Sequence, residues 1–229
     1  MAAKLSGSEK IITGLARKSV VKQNVFETSL EVFNIIKELL QEIATSYNEK
    51  LKEVDNRVLF EYEDKGMFDA QLKFSGDILF FHMHSNIFEF NREHAIWKTS
   101  YVNNEPYSSL CGIVNIYNFL ADSFKYNRFE DLGYLIARLF VNKDKHYFVE
   151  GKRQLGFLYN DFGKAIIHKD QLEEIIETAI AYSLDFDLLV PPYDHVKIAS
   201  VAQMQQQMEF ARLKTGKRLG FRFSADDVD

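Results

Sequence analysis

One cysteine and three prolines are all that this 229-residue chain holds of either type. A single thiol excludes an internal disulfide and any cysteine-rich metal site. That thiol, Cys111, lies in the apolar run Leu110-Cys111-Gly112-Ile113-Val114, the setting of a buried, inert group. Scarce proline leaves the elements unbroken until Pro191-Pro192, which forces an extended segment. Long apolar runs are missing too. The longest stretch without a charge, Pro106 to Ala121, is too short for a membrane span and carries two serines and two asparagines. Met1 to Gly7 lacks the apolar centre of a secretory leader. Excess positive charge is also absent: a net charge of −5 argues against general nucleic-acid binding, which rests on neutralising phosphates. These absences lead us to expect a cytoplasmic chain with neither a membrane nor a nucleic acid as partner.

Aromatic residues are plentiful, with 20 phenylalanines and 11 tyrosines, and their large buried areas favour a packed core or a sheet surface. Hydrophobic residues at 46% and charged residues at 27% fit a folded globular chain. No internal repeat or clean linker divides it, so a single α+β domain over 1–229 is expected.

The clearest helix signal is Phe26, Leu30, Phe33, Ile36, Leu40, Ile43, Tyr47 and Leu51, spaced by alternating threes and fours. Val32, Ile35 and Leu39 broaden that stripe, which suits a helix lying across a sheet; a dimer seam is the alternative. A weaker helical pattern precedes it over Lys4 to Lys18, interrupted by Gly14. Between Arg57 and Val102 short alternating runs separated by turn residues read as an antiparallel meander. Its strands are expected over Val58 to Glu63, Phe68 to Phe74, Ile78 to His84, Ile87 to Phe90 and Ile96 to Val102. Leu110 to Tyr117 fits a sixth strand or a buried helix equally well. Phe129 to Phe140 reads as a helix through Leu132, Leu135, Ile136 and Leu139. Tyr147-Phe148-Val149 and Leu155 to Tyr159 read as a hairpin, and Asp170 with Glu173 reads as a capping box opening a helix through Ile180. A further helix is expected over Ile198 to Leu213, then an edge strand through Leu219, Phe221 and Phe223. The expected architecture is α+β: an antiparallel meander of five or more strands covered by a long N-terminal helix, with a mixed helical C-terminal half.

Candidate chemistry centres on His82 and His84. Two residues apart on one strand, their imidazoles leave the same face and could hold one divalent metal if a carboxylate or third histidine completed the shell. Gly76, His82-Met83-His84 and Glu89 together resemble the first cupin motif, in which two histidines and a glutamate bind a metal inside a small β-barrel. That resemblance implies His82, His84 and Glu89 as ligands, with His94 or His146 as a fourth. It covers about fifteen residues; the motif's closing glycine falls on Ile96, and no second motif follows. The bland reading places both histidines on a solvated sheet face or hydrogen-bonded beneath the long helix. Glu61 and Glu63 also share a strand face, as acid–base carboxylates do in glycosidases, but charged residues on an open sheet explain them. Lys143, Lys145, His146, Lys152 and Arg153 form a basic patch around a turn. Arg212 to Arg218 is denser, yet its Gly-Lys step lacks the other residues of a phosphate loop, and the end of the chain could instead dock onto a partner subunit. With no serine elbow, dinucleotide fingerprint or zinc-finger spacing, the expected function is non-catalytic binding or assembly, with self-association; a metal-dependent enzyme or metal-binding protein on His82, His84 and Glu89 is the alternative.

Overall fold

The computed structural model describes residues 6–55, 58–129, 131–156, 161–185, 188–189, 198, 200–202, 205 and 221–222. Helix α1 (Gly7–Gly14) opens with a capping box, Ser6 Oγ accepting from the Glu9 amide while the Ser6 amide donates to the Glu9 carboxylate at 2.7 Å. Gly14 does not end the helix. The chain runs through a π turn (Leu15–Ser19) into α2 (Val20–Leu51). Nothing in α1 or the π turn is buried, whereas α2 buries Val25, Ser29, Val32, Phe33, Ile36, Leu39, Leu40, Ile43 and Ala44. The broad apolar stripe is thus spent on covering a sheet.

That sheet has seven antiparallel strands: β1 (Phe60–Asp64), β2 (Asp69–Phe74), β3 (Asp77–Met83), β4 (Phe88–Glu89), β5 (Leu110–Leu120), β6 (Tyr134–Asn142) and β7 (Tyr147–Gly151). Their order is β1-β2-β3-β5-β6-β7, with β4 beside the first residues of β5, in line with β3. Short α3 (Ser100–Asn104) and α4 (Ala121–Lys125) lie before and after β5. Helix α5 (Lys169–Leu184) packs beside α2. Leu72, Phe74, Leu79, Phe81, Met83, Val114, Ile116, Leu139 and Val149 point from the sheet into a core shared with Phe33, Leu40, Ile176 and Ala179 of the two helices. Two-residue strands β8 (Leu188–Leu189) and β9 (Phe221–Arg222) pair in parallel.

The α+β architecture matches expectation, and Leu110 to Tyr117 resolves as strand. Several segments differ. Phe129 to Phe140 was expected as a helix, but Tyr134–Asn142 is a strand covered on both faces, so its apolar residues lose their alternation. A register shift between Ile116 and Tyr117 adds to this by turning Ile136 and Ala137 both into the main core. Ile96 to Val102 is not a strand either. It forms a 3-10 turn (Ala95–Lys98) and α3, because Thr99 Oγ1 caps the Val102 amide. β7 pairs with β6 rather than with Leu155 to Tyr159, of which Leu155 belongs to a 3-10 turn (Arg153–Gly156) and 157–159 lie outside the described residues. α5 starts two residues earlier than the Asp170–Glu173 pattern suggests, with Gln171 accepting from the His168 amide at 3.1 Å. Pro191-Pro192, Arg212 to Arg218 and most of the expected helix over Ile198 to Leu213 also lie outside the described residues. No helix among the described residues is long and apolar enough to cross a membrane.

Candidate functional site

The face of the sheet turned away from α2 and α5 carries the chain's unusual chemistry. Cross-strand registry lines up Asp69, His82, Asn115, Arg138 and Glu150 as one polar row over five strands. Both ends are paired: Asp69 Oδ1 lies 2.7 Å from His82 Nδ1, and Arg138 Nη1 donates to Glu150 Oε2 at 2.9 Å. On one side runs Gln71, Phe80, Tyr117 and Leu135; on the other, Ile113, Phe140 and Phe148.

Part of this face is roofed. Ile96, Val102, Cys111, Phe140 and Phe162 form a second, smaller core with Phe90, Trp97 and Tyr101 packed against it. Asn142, fully buried, ties the roof to the β6–β7 turn. Its amide donates to the Tyr101 hydroxyl at 2.9 Å and the Ser108 carbonyl at 3.1 Å, while its Oδ1 accepts from the Asp144 and His146 amides. Tyr101 donates to Asp144 at 2.6 Å and stacks on His146. Burial, then the bond to Asp144, pushes the Tyr101 phenol up to about 12. Burial works against ionisation of Asp144, but hydrogen bonds from Lys143 and Tyr101 outweigh it and hold the carboxyl below its usual range. Burial also pushes the Cys111 thiol up, away from nucleophilic reactivity.

At the margin of the roof is a cavity of about 600 Å³, with a floor of Ile113, Asn115, Tyr117, Arg138, Phe140, Phe148 and Glu150 and a wall built from residues between His84 and His94. The wall exists because the chain leaves the sheet between β3 and β4. His84 Nδ1 accepts from the Asn86 amide at 3.0 Å, and His94 Nδ1 accepts from the Ile96 amide at 3.4 Å. An imidazole nitrogen that accepts is unprotonated, so both neutral rings carry their proton on Nε2. Phe88 meets His84 edge to face, and Phe90 stacks on His94. The Trp97 indole donates to the Phe90 carbonyl at 3.1 Å, directly behind the wall. A second cavity of about 540 Å³ is mainly apolar, lined by Leu51, Phe60, Phe74, Ile180 and Leu184 among others, with Tyr47, Lys50 and Ser75 supplying its polar groups.

Of the residues singled out in the sequence, His82 and His84 do share the free face, their ring centroids 6.4 Å apart. Glu89 lies on β4 with Lys18 at 3.8 Å and Arg92 at 3.7 Å. His146 Nδ1 donates to the Phe162 carbonyl at 2.8 Å. Among the described residues no three histidine, cysteine, aspartate or glutamate side chains gather so as to hold a metal ion. Glu61 and Glu63 are paired with Lys73 and with Lys65 and Gln71. Within the basic patch, Lys143 meets Asp144 and Lys145 meets Glu31. Asn115, Tyr117, Arg138, Phe148 and Glu150 escaped notice in the sequence. Alternation in Ile113, Asn115 and Tyr117 was the one available signal, and reading Phe129 to Phe140 as a helix hid Arg138. Compared with known proteins, the chain matches no family model, no curated protein and no solved structure.

Proposed function

We propose that this chain is a non-catalytic binding module, acting in the cytoplasm, whose ligand site is the partly roofed face of the sheet. The cavity of about 600 Å³ carries the reading. Its size is that of a small-molecule site, and its aromatic walls with a few convergent polar groups are the usual make-up of one. Its two lining carboxylates have cations beside them, Glu150 with Arg138 and Glu89 with Lys18 and Arg92, and both lining imidazoles accept a backbone amide at Nδ1. Rigid strands supply the floor, so the site is pre-formed. The test is ligand-observed NMR screening of small aromatic fragments against the wild type and Asn115→Trp, which fills the cavity from its floor. Fragments that bind the wild type and lose binding in the variant support the reading; binding that survives in the variant contradicts it.

Self-association is the second half of the proposal, supported by Ile11, Ile12, Leu15 and Val20, all exposed on the helical N-terminal segment. Sedimentation measurements on the wild type and Ile12→Glu/Leu15→Glu test it. A monomer at every concentration in the wild type removes this half and leaves the ligand site standing.

A further inference from the structure

We infer that the cavity takes a small aromatic carboxylate, its ring among Phe88, Phe90 and Phe148 and its carboxylate on Arg138. This rests on the cavity being the ligand site. The geometry points to an anion because N–H donors are left over on the cavity floor and wall. Arg138 uses one nitrogen on Glu150, and its remaining guanidinium N–H groups have no protein partner among the described residues. The Asn115 carboxamide, its direct cross-strand neighbour, is likewise unengaged. His84 and His94 each present a protonated Nε2, since Nδ1 accepts from a backbone amide.

The two lining carboxylates do not reverse this. Glu150 is paired with Arg138, and Glu89 has Lys18 at 3.8 Å and Arg92 at 3.7 Å, two cations that stand outside the lining. The Arg138–Glu150 pair is exposed, with side-chain accessibilities of 42% and 57%, and an exposed pair stabilises little. A ligand carboxylate entering a site walled by Phe90, Phe140 and Phe148 can therefore recruit the free edge of the guanidinium without breaking a strong contact. Arginine suits the task because its planar fork matches a carboxylate. The volume of about 600 Å³ accommodates one or two fused rings.

The experiment uses three probes on one naphthalene ring: 2-naphthoate, its near-isostere 2-naphthamide and the bulkier cation 2-naphthyltrimethylammonium. Each is titrated into the full-length protein while the amide spectrum and the single indole resonance, from Trp97, are followed. We expect the carboxylate to bind at least about ten-fold tighter than the amide or the ammonium, the scale of one charge-assisted contact. Arg138→Met should abolish that preference, bringing naphthoate down to the affinity of the amide. Glu150→Gln, which frees the guanidinium, should tighten naphthoate a few-fold, the opposite of what loss of a structural ion pair would do. If the amide or ammonium binds as well as naphthoate, or Arg138→Met keeps the preference, the ligand class is wrong and the site survives. If none of the three probes shifts cavity residues, the site falls together with the inference.

Discussion

Gly112 on β5 and Ser29 on α2 meet with no room between them: a Cβ on the glycine would stand 2.1 Å from the serine Oγ and 2.7 Å from its Cβ. Ser29 cannot swing away cheaply, because its hydroxyl donates to the Val25 carbonyl at 2.7 Å. The long helix is thus seated on the central strand at a contact that only glycine permits. Gly112→Ala should destabilise by about 1–3 kcal/mol, the usual cost of overpacking. Ser29→Gly alone should cost about 1 kcal/mol for glycine in a helix, yet regain most of the loss when combined with Gly112→Ala. Urea denaturation of the three variants measures this.

Asn142 should be the most sensitive polar residue in the roof. Asn142→Leu leaves the Asp144 and His146 amides without their acceptor and the Tyr101 hydroxyl without a donor, which should cost about 2–4 kcal/mol. Tyr101→Phe removes one hydroxyl and should cost about 1 kcal/mol. Thermal melts of both variants beside the wild type give the comparison.

High pH should weaken the fold before it ionises the half-buried phenols of Tyr47 and Tyr101. Tyr101 is pushed up to about 12 by burial and the Asp144 bond, and Tyr47 to about 12 chiefly by its bond to Glu177. An unfolded tyrosine ionises near 10, so between about pH 10 and 12 the folded chain holds protons that the unfolded chain releases. The stabilisation is complete below pH 10 and is lost as pH rises toward 12. Denaturation midpoints across that window should fall, and less steeply in Tyr101→Phe.

The N-terminal helical segment should add little to stability. With no buried residue from Gly7 to Ser19, its helix rests on local bonds and the exposed Lys18–Glu89 pair, which are marginal in water. In the monomer, hydrogen exchange should find its amides the least protected of the helical amides among the described residues. Removing residues through Ser19 should change the stability of the monomer by under about 0.5 kcal/mol.

Untagged protein should retain no stoichiometric divalent metal. Asp69 holds His82 Nδ1, and Glu89 is occupied by Lys18 and Arg92. Elemental analysis after metal exposure measures this; one bound equivalent lost in His82→Ala/His84→Ala would overturn it.

Legibility followed how many faces of an element are buried. α2 and the first two strands each pack one side, so their apolar residues keep a clean period and stood out in the sequence. β6 packs both sides across a register shift, and its Leu135, Ile136 and Leu139, following the exposed Leu132, imitated a helix. Ile96 and Val102 reach one small core from two different helical turns and imitated a strand. The histidine pair was visible because it is local in sequence, His82 on β3 and His84 one residue past its end. The cavity was not, since Asn115, Arg138 and Glu150 come from three strands and meet only through registry.

Amide chemical-shift mapping with a mixture of small aromatic fragments tests the sheet-face site most directly. The account predicts that the largest shifts fall on Asn115, Tyr117, Arg138, Phe148 and Glu150, with the Trp97 indole following. Shifts confined to the apolar cavity beside Tyr47 and Leu184, or no shifts on the sheet face at all, would contradict it.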